Sequence, residues 1–243
     1  MSDQTTIDLR EMLALACRVL GEEGQGAITL GHVSVRVPGE EKLLMKPFGL
    51  GFEEVRPSDL VVLDLEGNKL DGPHPPHGER FIHTEILKAR QEVQSVIHTH
   101  PFYATVLGTT GEELLPLTHE GVLFIQGIPL YDATPELITT KEGSIPIAQK
   151  LGDKRALFIK NHGVVVVGRS LQEAVISALY LETAAKTQVT ARVFGRLNPI
   201  ERQTALRMHD RQYQVKQFEQ FWNYYARKFQ KPQQDAQKRP CIS

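Results

Sequence analysis

The sequence predicts an α/β domain, with one mainly antiparallel sheet and helices layered on its two faces. Short apolar runs of strand length recur along the chain, at 34–37, 43–45, 60–65, 93–98, 128–131, 156–159 and 164–167. Most of them come in hairpin-like pairs, not in the strict alternation with helices that parallel βαβ units require. Between the pairs lie amphipathic stretches long enough to form helices that cover a sheet. No internal repeat and no linker marks a second domain, so residues 1–229 read as one unit. Residues 230–243, rich in Gln, Lys and Pro, read as a disordered tail.

In chain order, Leu9, Met12, Leu13, Ala16, Cys17 and Leu20 recur at helical spacing, which predicts a helix over 7–20 stopped by Gly21 and Gly24. Gly31-His32-Val33-Ser34 reads as a glycine-bearing turn before the first strand, and Pro38-Gly39 as the turn before the second. Residues 47–51 form a loop, and Arg56-Pro57-Ser58-Asp59 a turn or short helix start. Residues 71–78 hold three prolines and two histidines, a stiff loop. The spacing then predicts a helix over 79–90 with Phe81, Ile82, Ile86 and Leu87 inward, and a short helix after Pro101. Further helices are expected near 121–126, over 144–151 and over 170–192, the last with Ser170 and Glu173 as a capping box. A helical region over 199–229 carries Phe218, Phe221, Trp222, Tyr224 and Tyr225. Such a cluster serves packing against the core or a neighbouring subunit, or else a lid over a site.

The chain has 243 residues, 41% apolar and 23% charged, with a formal net charge of −1. That balance offers no field to attract nucleic acid or a membrane surface. No apolar run approaches the roughly 20 residues that span a bilayer, and residues 1–8 show no basic-then-apolar leader pattern. Two cysteines, Cys17 and Cys241, lie too far apart in pattern to suggest a bridge and fit a reducing cytoplasm.

Chemistry concentrates where apolar strands give way to turns. His98 and His100 lie two apart at the end of one run, and His162 follows another, before Gly163. Imidazole is the commonest metal-ligating side chain, and three of them with an open position suit Zn²⁺ best, with Mn²⁺, Fe²⁺ or Co²⁺ compatible. Glu79 opens a helix. A carboxylate there is either simply favoured by the helix dipole, or a general acid/base or fourth ligand. His83 lies one turn on and could orient Glu79 or stand behind the residues that touch the ion. Gly31, His32 and Ser34 are either a plain turn or an anion-binding one. Tyr131 and Asp132 follow a strand and could border a cleft. His119 and Glu120 are either an acid–base pair or solvated side chains.

Taken together, five stretches resemble the class II aldolase/adducin family: Gly31-His32-Val33-Ser34-Val35-Arg36, Pro47-Phe48-Gly49, Glu79 with His83, His98-Thr99-His100-Pro101, and Asn161-His162-Gly163 before a valine run. The likeness runs from about Leu9 to Gly195. It implies an α/β/α fold and homotetramers with sites at subunit interfaces. It also implies a divalent metal, usually zinc, on His98, His100 and His162, and Glu79 as acid/base that also ligates the resting metal.

The departures bear on substrate. Sugar-phosphate members of the family hold the phosphate with small hydroxyl and amide donors. The matching positions here carry His32, Phe48-Gly49 and His77-Gly78, and a buried phosphate without donors costs several kcal/mol. The expectation is therefore a non-phosphorylated small-molecule substrate. The expected reaction is decarboxylation of a hydroxyaromatic or keto carboxylate through a metal-stabilised enolate, with His32, Ser34, Phe48, Gly49, His77, Gly78, His83 and Tyr131 around the substrate. An aldolase acting on a hydroxy-keto acid or sugar is the alternative, and a non-catalytic adducin-like binding module the rival from another class.

Overall fold

A computed structural model describes residues 3–229, with side chains from residue 8 onward. Eight strands form one sheet: β1 (His32–Arg36), β2 (Lys42–Met45), β3 (Val61–Asp64), β4 (Lys69–Asp71), β5 (Ser95–Thr99), β6 (Leu130–Tyr131), β7 (Ala156–Ile159) and β8 (Gly163–Gly168). Their order is β4-β3-β2-β1-β5-β8-β7-β6. Every pairing is antiparallel except β6 with β7. The mainly antiparallel sheet agrees with the sequence expectation.

Strand alternation sorts the side chains into two layers. On one face Val33, Val35, Leu44, Ile97, Phe158, Val164 and Val166 pack with α1 (Asp3–Glu22), α3 (Phe102–Thr110), α6 (Leu171–Arg192) and α8 (Val215–Phe229). On the other, Leu43, Met45, Val96, Leu157, Val165 and Val167 pack with α2 (Arg80–Ala89) and α5 (Lys141–Leu151). Two remaining helices, α4 (His119–Val122) and α7 (Arg202–Gln212), share a small cluster of Val122, Ile125 and Ala205. No helix among the described residues is long and apolar enough to cross a membrane.

Several boundaries differ from the sequence expectation. α1 runs to Glu22, so Gly21 falls in its last turn and does not stop it; a Cβ there would sit 3.1 Å from Cβ of the buried Phe52, so the residue permits close packing. Gly24, at φ 76°, makes the actual exit. β1 begins at His32, two residues before the expected run from Ser34, so the expected turn residue His32 is in the strand, since the ladder to β5 begins at His32↔His98. β4 was not expected; its three exposed residues carry no apolar alternation and pair only with β3. β5 starts at Ser95 and extends through Thr99, and β6 shrinks to two residues. Phe81 is half-buried, under the Arg80 guanidinium at 4.3 Å, and is not part of the core. α4 covers His119–Val122, with turns over 123–126, so the helix precedes its expected span.

The helix expected from 144 starts three residues earlier, because the Thr140 hydroxyl accepts the Gly143 N–H. Ser170 Oγ accepts the Glu173 N–H as expected, but the Glu173 carboxylate turns to Arg155 and the Arg169 N–H. The 199–229 region divides into α7 and α8. Phe218 and Trp222 are buried in the core, which agrees with the packing role for the aromatic cluster. Cys17 is a free buried thiol, pushed up to about 12 by desolvation. Cys241 and the expected disordered tail lie outside the described residues.

Candidate metal and catalytic site

Helix α2 lies across β1 so that one helical turn matches two strand residues. Four residues of helix rise about 6 Å and two residues of strand about 6.6 Å. Glu79, His83 and Leu87 on the helix side therefore meet His32, Ser34 and Arg36 in turn. Glu79 Oε2 is 3.6 Å from His32 Nε2, His83 Nδ1 is 2.7 Å from Ser34 Oγ, and Arg36 Nη2 donates to the Leu87 carbonyl at 2.7 Å.

Glu79 occupies the N-cap position of α2 but makes no capping bond. Its carboxylate turns into the pocket instead. Oε1 accepts the Ile138 N–H at 3.0 Å and lies 3.7 Å from His162 Nε2. Oε2 lies 3.7 Å from His98 Nε2. Desolvation by burial raises the Glu79 pKa, against the opposing Ile138 hydrogen bond. The dipole-only explanation for this residue therefore accounts for less of what is seen than a role at the pocket.

His98 comes from the end of β5, His100 from just beyond it, and His162 from the β7–β8 turn. That turn is made by Asn161 at φ 59°, a conformation asparagine tolerates better than most residues. The three rings lie 4.8–5.2 Å apart, and one nitrogen from each falls within 4.8 Å of the others. His98 Nδ1 faces the Val164 carbonyl at 3.0 Å. A carbonyl only accepts, so the proton is on Nδ1 and Nε2 offers a lone pair. His98 Nε2, His100 Nδ1 and both His162 nitrogens are buried without hydrogen-bond partners. Buried polar atoms are rarely left so. A divalent cation would take one nitrogen from each ring, and the donor set fits one.

Beside this group lies a second. His32 and His77 have ring centroids 3.9 Å apart, and with Glu79 they too bring ligand atoms within 4.8 Å. His32 Nδ1 is 2.6 Å from His83 Nε2. His83 thus orients His32, not Glu79 as its position in the sequence suggested. Desolvation comes first in lowering every ring: His77 and His100 to about 4, His83 to about 3, His32 and His98 well below the ordinary value, and His162 in the same direction. Burial thus favours the neutral form of each of these rings.

Phe48 is 52% exposed, with its ring 5.8 Å from that of His77. Gly49, at φ 89°, and Gly78 have no close steric neighbour. Tyr131 has no described hydrogen bond or ring contact with the cluster. It ends edge strand β6, opposite Ile159, which is itself three residues before His162, and belongs to the buried cluster shared with α2 and α5; Asp132 is exposed. His119 and Glu120 do not form an acid–base pair, because His119 is tied to the end of α7 through Gln212 and Tyr213.

Sequence reasoning missed three contributors. The Ile138 N–H and Val164 carbonyl are main-chain groups with no side-chain signature. Lys46 is fully buried, its ammonium held by the Thr29 and Pro47 carbonyls at 3.2 and 3.5 Å and lying 5.1 Å over the Phe52 ring. A lysine after an apolar strand gives no sign that it turns inward.

The chain belongs to the class II aldolase/adducin family: the Class II Aldolase and Adducin N-terminal domain matches residues 11–189. Among its relatives is a 3,4-dihydroxyphthalate decarboxylase from Arthrobacter keyseri, 31% identical over 209 residues, 78% of this chain and 82% of that protein. Another is an L-fuculose phosphate aldolase from Methanocaldococcus jannaschii, 33% identical over 174 residues, 70% and 90% of the two chains. An aldolase II superfamily protein from Pseudomonas syringae superposes with a TM-score of 0.85 at 26% identity, covering 94% of each chain.

Proposed function

We propose that this protein is a divalent-metal-dependent carbon–carbon lyase that decarboxylates a non-phosphorylated hydroxyaromatic or keto acid. One observation carries the reading: three imidazoles with free lone pairs converge beside a buried, desolvated glutamate. The neighbouring wall is made of His32, His77 and Phe48, whose rings lie 3.9 and 5.8 Å apart in turn.

His98, His100 and His162 would hold the ion, with zinc the best match to an all-nitrogen set. When bound, the metal supplies a Lewis acid that stabilises negative charge on a substrate oxygen. Glu79, with Oε1 fixed by Ile138, holds a proton at Oε2 and delivers it to the carbon that loses CO₂. The electron pair of the broken C–C bond stays on the substrate, the carboxylate carbon departs as CO₂, and solvent returns the proton to Glu79. Phe48, 5.8 Å from the His77 ring, would offer an aromatic face to the substrate.

The relative named as a phosphate aldolase favours a second reading, in which the same proton carrier serves aldehyde release. The test is a panel: zinc-loaded protein with dihydroxyaromatic acids and, separately, with hydroxy-keto acids. CO₂ from the first set is the expected result; aldehyde from the second without CO₂ from the first overturns decarboxylation. A chain that binds no metal at all would favour the adducin-like binding role. The same reading includes a cytoplasmic enzyme working as a homotetramer. Ile28 and Phe102, exposed at 89% and 69% near His32 and His100 in the chain, support a subunit contact close to the pocket.

A further inference from the structure

The three ion-facing rings are not held alike. His98 sits in the β5 ladder, with Nδ1 on the Val164 carbonyl. His162 is carried by the tight turn at Asn161 between two paired strands. His100 has neither support. It follows the last residue of β5 and precedes Pro101, the N-cap of α3, so its backbone belongs to no strand or helix. Its Nδ1 is buried without a partner. A ligand side chain works only if the structure behind it fixes its place.

Both flanks of His100 are tied to helix α6. On one flank is Thr99. Alternate strand residues face opposite sides, so Thr99 points with Ile97 into the layer that holds α6, away from the pocket. Its hydroxyl lies 3.1 Å from Gln25 Oε1, and Gln25 Nε2 lies 3.4 Å from the Ala178 carbonyl of α6. A carbonyl only accepts, so the Gln25 NH₂ faces Ala178. Gln25 Oε1 then accepts, and the Thr99 hydroxyl donates. Gln25 and Thr99 are both wholly buried.

On the other flank is the first turn of α3. Its open N–H groups need partners, and Pro101 makes no side-chain cap bond. Glu182 of α6 takes that part from across the layer. One carboxylate oxygen accepts the Tyr103 N–H at 3.0 Å and the other the Ala104 N–H at 2.8 Å. The positive end of the helix dipole favours a carboxylate there. Ala178 and Glu182 are four residues apart, hence on one face of α6.

We infer that Gln25 and Glu182 are positioning residues for the ion site. Acting through Thr99 and the first turn of α3, they fasten both ends of the His100 segment to one face of α6 and so hold the His100 ring on His162, where the two planes lie 10° apart with centroids at 5.2 Å. This rests on the reading of His98, His100 and His162 as ion ligands. Neither residue is among those that line the pocket. Their effect reaches it through the backbone, and it falls on His100 more than on His98, which keeps its own ladder.

The test uses the full chain, and the control lies on the same helix. Gln188 is another buried glutamine of α6, but its amide bonds the Leu115 N–H and the Glu113 carbonyl, beyond the far end of α3. In zinc competition titrations, Gln25→Leu and Glu182→Ala should each weaken binding about tenfold or more, as loss of support behind a ligand does. Their Co²⁺-loaded forms should show altered visible absorption. Gln188→Leu should lose comparable stability in urea, with zinc affinity within twofold and an unchanged Co²⁺ spectrum. Thr99→Val should reproduce Gln25→Leu, and it decides if Gln25→Leu does not fold. Thr99→Ser, which keeps the hydroxyl, should bind zinc like the wild type. Glu182→Gln, which keeps an acceptor oxygen, should recover part of the loss. Zinc affinity that merely follows urea stability, Gln188→Leu included, overturns the proposal.

A second measurement needs no metal. In ¹H–¹³C spectra of the metal-free chain with labelled histidine, the His100 ring signals should move in Gln25→Leu and in Glu182→Ala, and the His98 signals much less. Equal movement of both rings, or none, overturns the proposal. A wild type that takes up neither zinc nor cobalt, with the His100 response intact, would sink the ion reading and leave the two residues as the anchors of His100.

Discussion

A Cβ added at Gly163 would lie 2.6 Å from Cδ2 of His100 and 2.5 Å from the Thr99 carbonyl oxygen. The absence of a side chain at the start of β8 is what lets the His100 ring stack on His162. Gly163→Ala is expected to destabilise the fold by about 1–3 kcal/mol, as overpacking does, and to weaken zinc binding about 10-fold or more. Denaturant midpoints and a zinc competition titration check both. Unchanged zinc affinity would show that the ring position is not what holds the ion.

Glu79→Gln separates chemistry from stability. Loss of a general acid should lower turnover by roughly 10²–10⁴-fold. The glutamine can still accept the Ile138 N–H. Because burial raises the Glu79 pKa, its contribution to stability is present below the unfolded carboxyl value and lost as pH rises through the folded one. The variant without metal should therefore melt higher than the wild type at pH 7–8, and the gap should close near pH 4. Wild-type turnover in this variant would remove Glu79 from the reaction.

The imidazoles act in the opposite sense. Their folded pKa values are depressed, to about 4 for His77 and His100 and about 3 for His83. Their contribution is fully present above the unfolded value of about 6.5 and is lost as pH falls toward the folded values. Metal-free protein should lose stability steadily between about pH 6.5 and 4, with several protons taken up on unfolding. Urea midpoints across that range test it, and a flat profile would contradict the burial of the rings.

Metal removal gives a third handle. Zinc at 100 times its dissociation constant stabilises a one-site protein by about 2.7 kcal/mol. Chelation should lower the melting temperature accordingly, and His162→Ala should abolish the difference between zinc and chelator. A melting response that survives in this variant would place the ion elsewhere.

The sheet was legible because its central strands carry near-continuous apolar runs: Val164–Val167 are all 3% exposed or less. β4 escaped notice because Lys69, Leu70 and Asp71 are all exposed and are recruited only by the hairpin with β3. Within the site, His98, His100, His162 and Glu79 could be picked out by residue type at strand and helix ends. For Tyr131, a sequence position next to a turn gives no sign that the residue is packed into the core cluster. The His83–His32 contact was unreadable for a related reason. It depends on the matching rise of a helix and a strand that are 51 residues apart, and no local pattern encodes that crossing.

His98 and His162 are set by β5 and the β7–β8 turn, in the interior of the sheet, whereas Phe48 and His77 stand on connecting segments outside any strand. Phe48 and His77 can thus change without disturbing the sheet, whereas His32, paired with His98 across β1 and β5, cannot. Insertions or exchanges in the connecting segments would reshape the pocket wall while the three-histidine group stays in place.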